Sequence, residues 1–218
     1  QNSTLFPQEI GLAASWDTAM AREMGRITAY ETRASGVPWN FSPVLDVARD
    51  ARWPRFWETF GEAPKLVSDM GVAMVKGYQE GPSPIAATLK HYVGYSRPLT
   101  GKDRTPAWIP ERQLRQIFLP PFAAAIDAGA ASIMVNSGEI NGIPVHVDHH
   151  ILTDILREDL EFDGMVVTDW EDIKYLFSRH KVASDYKDAI AMAINAGIDM
   201  SMVPTDTEFP VLLAELVR

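Results

Sequence analysis

Short apolar segments alternate along the chain with longer stretches in which apolar residues recur at helical spacing. The apolar segments are residues 37–45, 85–92, 131–137, 164–169 and 198–203. Each has the length of a strand and few polar positions, which is typical of parallel strands covered on both faces. The sequence therefore predicts five buried parallel strands joined by helices.

The stretches between these strands predict amphipathic helices. Residues 65–80 and 151–160 carry apolar residues three to four positions apart, and Asp148 suits an N-cap of the second helix. Residues 111–128 continue the pattern, but the Pro120-Pro121 pair must kink or interrupt that helix because proline lacks the amide donor.

Strands that alternate with helices allow either an open doubly wound sheet or a (β/α)8 barrel. The phosphate-binding patterns GxGxxG and GxxxxGK[ST] follow none of the strands, which argues against the first. Polar residues collect instead at the C-terminal strand ends, where a barrel builds its active site; they are Asp46, Lys90, His91, Asn136, Asp169 and Trp170. We predict a TIM-barrel-like (β/α)8 fold of the α/β class. The barrel is expected to be partial, because only five strands are predicted and eight strands usually need about 250 residues.

Composition and charge narrow the function classes. The 218 residues contain no cysteine, which excludes thiol catalysis, cysteine-based zinc sites and disulfides. Lys and Arg number 20 against 29 Asp and Glu, a net charge of −9 that argues against nucleic acid or an anionic membrane as partner. No apolar run reaches the roughly 20 residues of a membrane span, and no leader peptide is visible. Because the chain begins with Gln1, we expect a processed protein or part of a longer one.

The strongest chemical signal lies at residues 164–170, where a buried strand ends in Asp169 and Trp170. Asp169 either caps the helix that follows or acts as a nucleophile or base held on a rigid element. Trp170 either stacks on a sugar ring or fills the core.

Two further positions have both a binding and a structural interpretation. Lys90 and His91 are adjacent, and adjacent strand residues point to opposite faces, so both reach one ligand only if the strand ends or distorts there. Together they suit hydroxyl recognition; separately they are a half-exposed lysine and a core histidine. Arg55, in a loop rich in charges and tryptophans, either forks onto vicinal sugar hydroxyls or pairs with Glu58 or Glu62.

Histidines cluster only at residues 146–150, which read HVDHH. The cluster lacks the HExxH spacing of helical zinc sites and opens a helix, so capping and exposed imidazoles explain it, with a metal-dependent hydrolase as an alternative. A Ser-His-Asp triad has no GxSxG turn on which to form.

Several motifs taken together resemble the N-terminal barrel domain of family 3 glycoside hydrolases, the β-glucosidase-like enzymes. They occur in family order, as FPQEIGLAASWD at 6–17, NFSPVLD at 40–46, RWPR at 52–55, FGE at 60–62, LKHYVGY at 89–95, RQLR at 112–115, LPPF at 119–122, SIMVNS at 132–137 and VVTDW at 166–170. The resemblance implies that residues 1–218 are most of such a barrel, with the first strand and a C-terminal α/β sandwich domain outside this chain.

The resemblance also implies a role for each matching residue. Asp169 matches the nucleophile of a retaining double-displacement mechanism, and the acid/base Glu comes from the C-terminal domain. Arg55, Lys90 and His91 match residues that bind hydroxyls of the terminal sugar, and Met134 and Trp170 match residues that line its pocket. The implied substrate is a β-linked glucoside or oligosaccharide, with no cofactor or metal, in a periplasmic or extracellular enzyme.

The chain departs from the family pattern at three points. Ser137 stands where many members have a tyrosine that helps orient the nucleophile, and a sugar-binding Asp would lie before Gln1. The KHFPGHG run of the N-acetylglucosaminidase branch is absent, since this chain reads KHYVGYS. We therefore expect a β-glucosidase or exo-β-glucanase, and a non-catalytic sugar-binding barrel is the alternative on the same scaffold.

Overall fold

A computed structural model describes residues 3–218 of the chain and shows parallel strands that alternate with helices. The strands are β1 (Thr88–Tyr92), β2 (Ser132–Val135), β3 (Glu139–Ile140), β4 (Ile143–Pro144) and β5 (Met165–Val167). Strands β1, β2 and β5 form a parallel sheet in that order, and β3 pairs with β4 as an antiparallel hairpin. Nearly every residue of the parallel sheet is buried, as the apolar segments predict.

The outer two predicted strands are present only as bridged segments. Residues 37–45 run parallel to β1 through the pairs Trp39–Ala86 and Val44–Lys90, and residues 198–203 meet β5 at Met200. Pro38 and Pro43 remove amide donors from the first segment, which prevents a continuous ladder. Five parallel segments therefore lie side by side in chain order, as in part of a TIM-barrel-like α/β domain, and the described residues do not close the barrel.

Eight α-helices, two 3-10 turns and two π-helical segments complete the secondary structure of the described residues. The α-helices are α1 (Glu9–Ala13), α2 (Thr18–Ala34), α3 (Pro64–Gln79), α4 (Glu111–Gln113), α5 (Pro120–Asp127), α6 (Asp172–Ser178), α7 (Tyr186–Ala196) and α8 (Glu208–Val217). Phe56–Glu58 and Val145–Val147 are 3-10 turns, whereas Leu114–Phe118 and His150–Asp159 wind as π-helix.

The predicted helices are confirmed, with π-helical winding in two of them, at Leu114–Phe118 and His150–Asp159. The prediction for residues 65–80 corresponds to α3, and the helix over 111–128 is interrupted before Pro120, where α5 begins. The predicted helix over 151–160 is π-helical, and the Asp148 side chain accepts a hydrogen bond from the Ile151 amide as the predicted cap.

Helices α2 and α3 pack closely because two glycines face each other. A Cβ on Gly77 would lie 2.3 Å from the carbonyl oxygen of Arg22, and one on Gly25 would lie 2.9 Å from that of Met74. Any side chain at Gly77 would therefore force the helices apart. This contact holds α2, which the apolar pattern did not predict, against the outer layer of the domain.

Further elements escaped the pattern analysis, namely α1, α6, α7, α8 and the hairpin β3–β4. Two helices, α6 and α7, separate β5 from the last strand segment, where a single helix would suffice. The hairpin β3–β4 turns at Asn141 and Gly142, both with positive φ, and this Asn-Gly pair could have been recognised as a hairpin signal in the sequence.

Among residues 3–218, no helix is both long and apolar enough to cross a bilayer.

Candidate active site

Asp169 lies two residues after the end of β5 and is buried, with its carboxylate held by three donors. The Trp170 amide donates to Oδ1 at 2.6 Å, while the Ser137 hydroxyl and the Arg104 guanidinium donate to Oδ2 at 3.0 and 3.3 Å. Burial works to raise the pKa of Asp169, but the nearby positive charge and these hydrogen bonds outweigh it and lower the pKa below the usual range. Asp169 is therefore ionised at neutral pH.

Lys90 and His91 both lie near Asp169, although they are adjacent in β1. The pairing register of β1 with β2 shifts between Leu89 and Tyr92, and this is the strand distortion that a shared ligand requires. Asp169 is close enough to both Lys90 and His91 for each pair to influence the other's protonation. The side chains thus converge on one space at the strand ends.

A buried carboxylate orients His91. Asp46 Oδ2 accepts hydrogen bonds from the His91 amide at 3.1 Å and from Nδ1 at 2.8 Å. Burial lowers the pKa of His91, so the ring is neutral near pH 7 and Nε2 keeps a free lone pair. Burial likewise lowers the pKa of Lys90, whose ammonium makes no hydrogen bond within the described chain. An acceptor and a donor are thus free for a hydroxylated ligand.

Arg55 is paired with Glu58, so the structural interpretation of this residue applies to one edge of its guanidinium. Nε and Nη2 each donate to Glu58 at 2.8 Å, and Nη1 lies 3.5 Å from the Tyr95 hydroxyl. Glu62 is not its partner in the described structure. Because a guanidinium has five N–H donors, the pair with Glu58 leaves other donors free. The Arg55 charge also helps to lower the pKa of Lys90, so the two side chains lie in the same region.

The remaining predicted residues also lie at these strand ends. Met134 is buried in β2 beside Val167 of β5. Trp170 is 45% exposed, so it does not fill the core and its ring is free to meet a ligand. Ser137, the departure from the family pattern, is buried with its hydroxyl against Asp169.

The histidine segment 146–150 does not converge on a point. His146 is buried, whereas the side chains of His149 and His150 are 62% and 51% exposed and pair with Asp154. Within residues 3–218, no group of three His, Asp or Glu side chains is placed to hold a metal ion. The geometry therefore does not favour the metal-dependent alternative.

Three residues around the site were not assigned their contacts from the sequence. Asp46 was considered only as a strand-end residue, and its contact with His91 was not predicted. Asp172 lies three residues after Asp169 in the first turn of α6, a spacing that could have drawn attention to it. Arg104 comes from the loop after β1 and bridges Asp169 and Asp172, and nothing in its local sequence indicates this.

Comparison with known proteins agrees with this geometry. The family model "Glycosyl hydrolase family 3 N terminal domain" matches residues 1–217. A lysosomal β-glucosidase of Dictyostelium discoideum is 51% identical over 99% of this chain and 27% of its own length. A periplasmic β-glucosidase of Salmonella typhimurium is 38% identical over 91% of this chain and 26% of its own length. Other relatives are described as β-xylosidases.

Solved structures give the same result. The β-glucosidase of Listeria innocua in complex with glucose superimposes with a TM-score of 0.94 at 35% identity, over 99% of this chain and 30% of that one. The chain thus spans less than a third of the length of these proteins. On the match of the family model over nearly every residue, this chain belongs to glycosyl hydrolase family 3, within the N-terminal domain of that family.

Proposed function

We propose that this chain carries the nucleophile and the sugar-binding residues of a retaining exo-β-glycosidase that releases terminal β-D-glucose. The observation that carries the proposal is an ionised carboxylate, Asp169, held rigidly at a strand end beside the free donor of Lys90 and the free acceptor of His91. The β-glucosidase relatives and the glucose complex of the Listeria innocua enzyme support glucose as the sugar.

In this mechanism Asp169 attacks the anomeric carbon and forms a glycosyl-enzyme, which water then hydrolyses. A nucleophile must be unprotonated, and the lowered pKa of Asp169 satisfies that condition at neutral and mildly acidic pH. Departure of the leaving group requires a protonated acid whose carboxyl lies about 5–5.5 Å from the nucleophile.

The hydroxyl groups of the sugar would be held by the side chains around Asp169. Lys90 donates, His91 Nε2 accepts, and Arg55 uses the N–H groups that Glu58 leaves free. Met134 and the exposed face of Trp170 would form the walls against which an apolar sugar face packs.

The acid/base Glu is proposed to lie outside residues 1–218, in a C-terminal α/β sandwich domain that is this chain's partner. Residues 1–218 would then be most of a barrel that lacks its first strand, consistent with a chain that spans under a third of its relatives. Glu139 is unsuited to the role because it pairs with His180 at 2.5 Å. A periplasmic or extracellular location is part of this proposal, and one relative is periplasmic.

A mechanism-based label tests the nucleophile separately from the acid. The protein encoded by the complete reading frame is incubated with a 2-deoxy-2-fluoro-β-glucoside that carries a good leaving group, which departs with little acid help. We expect one glucosyl label per chain, found by peptide mapping on Asp169. The isolated chain should hydrolyse unactivated cellobiose negligibly.

Asp154→Asn, a half-exposed substitution in the middle of the π-helix, serves as the control and should label like the wild type. Asp169→Asn should not label at all. A label on another residue would refute the assignment, and sugar binding without any label would favour the non-catalytic barrel. Cleavage of an aryl β-xyloside in preference to the β-glucoside would refute glucose as the sugar.

A further inference from the structure

A single hydroxyl lies between two carboxylates at the proposed site. Ser137 Oγ is 3.0 Å from Asp169 Oδ2 and 2.6 Å from Asp172 Oδ2. A serine hydroxyl has one proton to donate and two lone pairs that accept. It can therefore satisfy both carboxyl groups only if one of them carries a proton and donates to the serine oxygen.

The surroundings of Asp172 decide which carboxyl holds that proton. Its side chain is only 3% exposed. The ionisable groups that face it are Asp169 at the end of β5, Arg104 from the loop after β1, His146 from the 3-10 turn, and Arg179 beyond α6. Burial and the charge of Asp169 raise the pKa of Asp172 to about 7, even though Ser137 and both arginines act in the opposite direction.

His146 does not supply the proton instead. Its Nε2 atom is buried without a partner and lies 3.6 Å from Asp172 Oδ2, beyond hydrogen-bond distance. Burial lowers the pKa of His146 to about 3, so the ring is neutral. The remaining positive charge near Asp172 is that of the arginines, which do not release protons near neutral pH.

The oxygen atoms of Asp172 are also distinguished by geometry. Arg104 Nη1 donates to Oδ1 at 3.3 Å, so Oδ1 is the acceptor and Oδ2 faces the serine. The 2.6 Å separation from Ser137 Oγ is at the short end for an O–H···O bond. The same guanidinium reaches Asp169 Oδ2 through Nη2 and fixes the two carboxyl groups relative to each other.

We propose that Asp172 keeps a proton on Oδ2 and donates it to Ser137, whose own proton is thereby directed to the nucleophile Asp169. Asp172 is then a positioning residue that acts through Ser137, at the point where many family members have a tyrosine. This assignment rests on the proposed function of Asp169. When Asp172 ionises, the serine proton turns to the nearer oxygen, and Asp169 loses a donor while it gains a negative neighbour.

The experiment uses the protein of the complete reading frame and follows the rate of glycosyl-enzyme formation with the 2-fluoro glucoside as a function of pH. Because this leaving group needs little acid help, the titration of the acid/base Glu contributes little. We expect the wild-type rate to fall about tenfold as pH rises through 7, since one charge-assisted hydrogen bond is lost.

Asp172→Asn keeps a hydrogen-bond donor to Ser137 but cannot acquire the negative charge of ionised Asp172. Its amide nitrogen donates to Ser137 at every pH, with Arg104 holding the amide oxygen, so the variant should keep the rate seen at pH 6 and lose the fall above pH 7. Asp172→Ala and Ser137→Ala should both be about tenfold to a hundredfold slower throughout. Asp154→Asn, outside the site, should reproduce the wild-type profile.

An infrared band gives a readout that does not depend on activity. In the difference spectrum of wild type minus Asp172→Asn, the C=O stretch of a protonated carboxylic acid should be present at pH 6 and disappear as pH rises through 7, because the bands of other protonated carboxyl groups are common to both proteins and cancel. Absence of that band, an unchanged profile in Asp172→Asn, or an Asp172→Asn as slow as Asp172→Ala would overturn the proposal. If the wild type forms no glycosyl-enzyme, the proposed function fails, while the band still reports on the proton.

Discussion

Glu9 should make the stability of this domain depend on pH in the sense opposite to most acidic residues. It begins α1, is buried, and accepts hydrogen bonds from the Val44 amide at 3.2 Å to each oxygen. Burial raises its pKa from 4.5 to about 8, against the opposing effects of the Val44 hydrogen bond and the Lys90 charge. At neutral pH the folded protein therefore holds Glu9 protonated.

The magnitude follows from proton linkage. Between pH 4.5 and about 8 the unfolded chain has released this proton while the folded protein retains it, so the free energy of unfolding falls as pH rises. One proton corresponds to about 1.4 kcal/mol per pH unit, which gives roughly 4–5 kcal/mol over the whole interval. Above pH 8 both the folded and the unfolded chain have released this proton, so the free energy of unfolding no longer changes with pH through Glu9.

Glu9→Gln removes the titration and keeps both hydrogen-bond functions of a protonated carboxyl. The free energy of unfolding of the variant and the wild type should be similar near pH 4.5 and diverge in favour of the variant up to pH 8. Urea unfolding of the complete protein, followed by tryptophan fluorescence at intervals of pH, measures the difference. Glu23→Gln is the control, because Arg26 lowers the pKa of exposed Glu23 and no gain at high pH is expected.

A difference between Glu9→Gln and wild type that stays constant over this pH range would refute the reasoning. So would a variant that is less stable than wild type at pH 8, since that would show a favourable ionised Glu9 in the folded protein.

Two further substitutions test packing and the proposed sugar site. Gly77→Ala places a Cβ 2.3 Å from the Arg22 carbonyl oxygen and should lower the free energy of unfolding by about 1–3 kcal/mol, measured by thermal unfolding. Gly11→Ala in α1 meets only a 3.4 Å contact and should be nearly neutral. Equal unfolding midpoints for the two variants would contradict the close α2–α3 contact. Arg55→Lys loses the bidentate pair with Glu58 and the planar donors proposed for the sugar. KM for an aryl β-glucoside should therefore rise about tenfold, with kcat less affected. An unchanged KM would contradict a role for Arg55 in sugar binding.

The strand ends show how far sequence reasoning reached. The apolar segments located all five parallel segments because burial on both faces leaves a continuous hydrophobic run, which needs no knowledge of partners. The same reasoning overestimated residues 37–45, where Pro38 and Pro43 reduce the strand to bridges. Local chemistry also predicted the interruption at Pro120 and the cap at Asp148.

The contacts that orient the site residues and shift their pKa values could not be predicted from local sequence. Arg104 reaches Asp169 across 65 positions of sequence, and the pairing of His91 with Asp46 spans 45. Ser137 looked like a loss, because its short side chain replaces a tyrosine; in the folded protein it lies between two carboxylates.

Local patterns in the sequence were therefore sufficient to predict the α/β class, the order of the parallel segments, the family, and the set of residues at the strand ends. These follow from local patterns: hydrophobic periodicity, proline chemistry and motif order act over a few neighbouring residues. The packing of the folded chain was needed to see that His146 is buried while His149 and His150 face solvent, and that Asp172 lies in one cluster with Ser137 and Asp169. Burial and the approach of distant charges set protonation, and both exist only once separate segments have packed together.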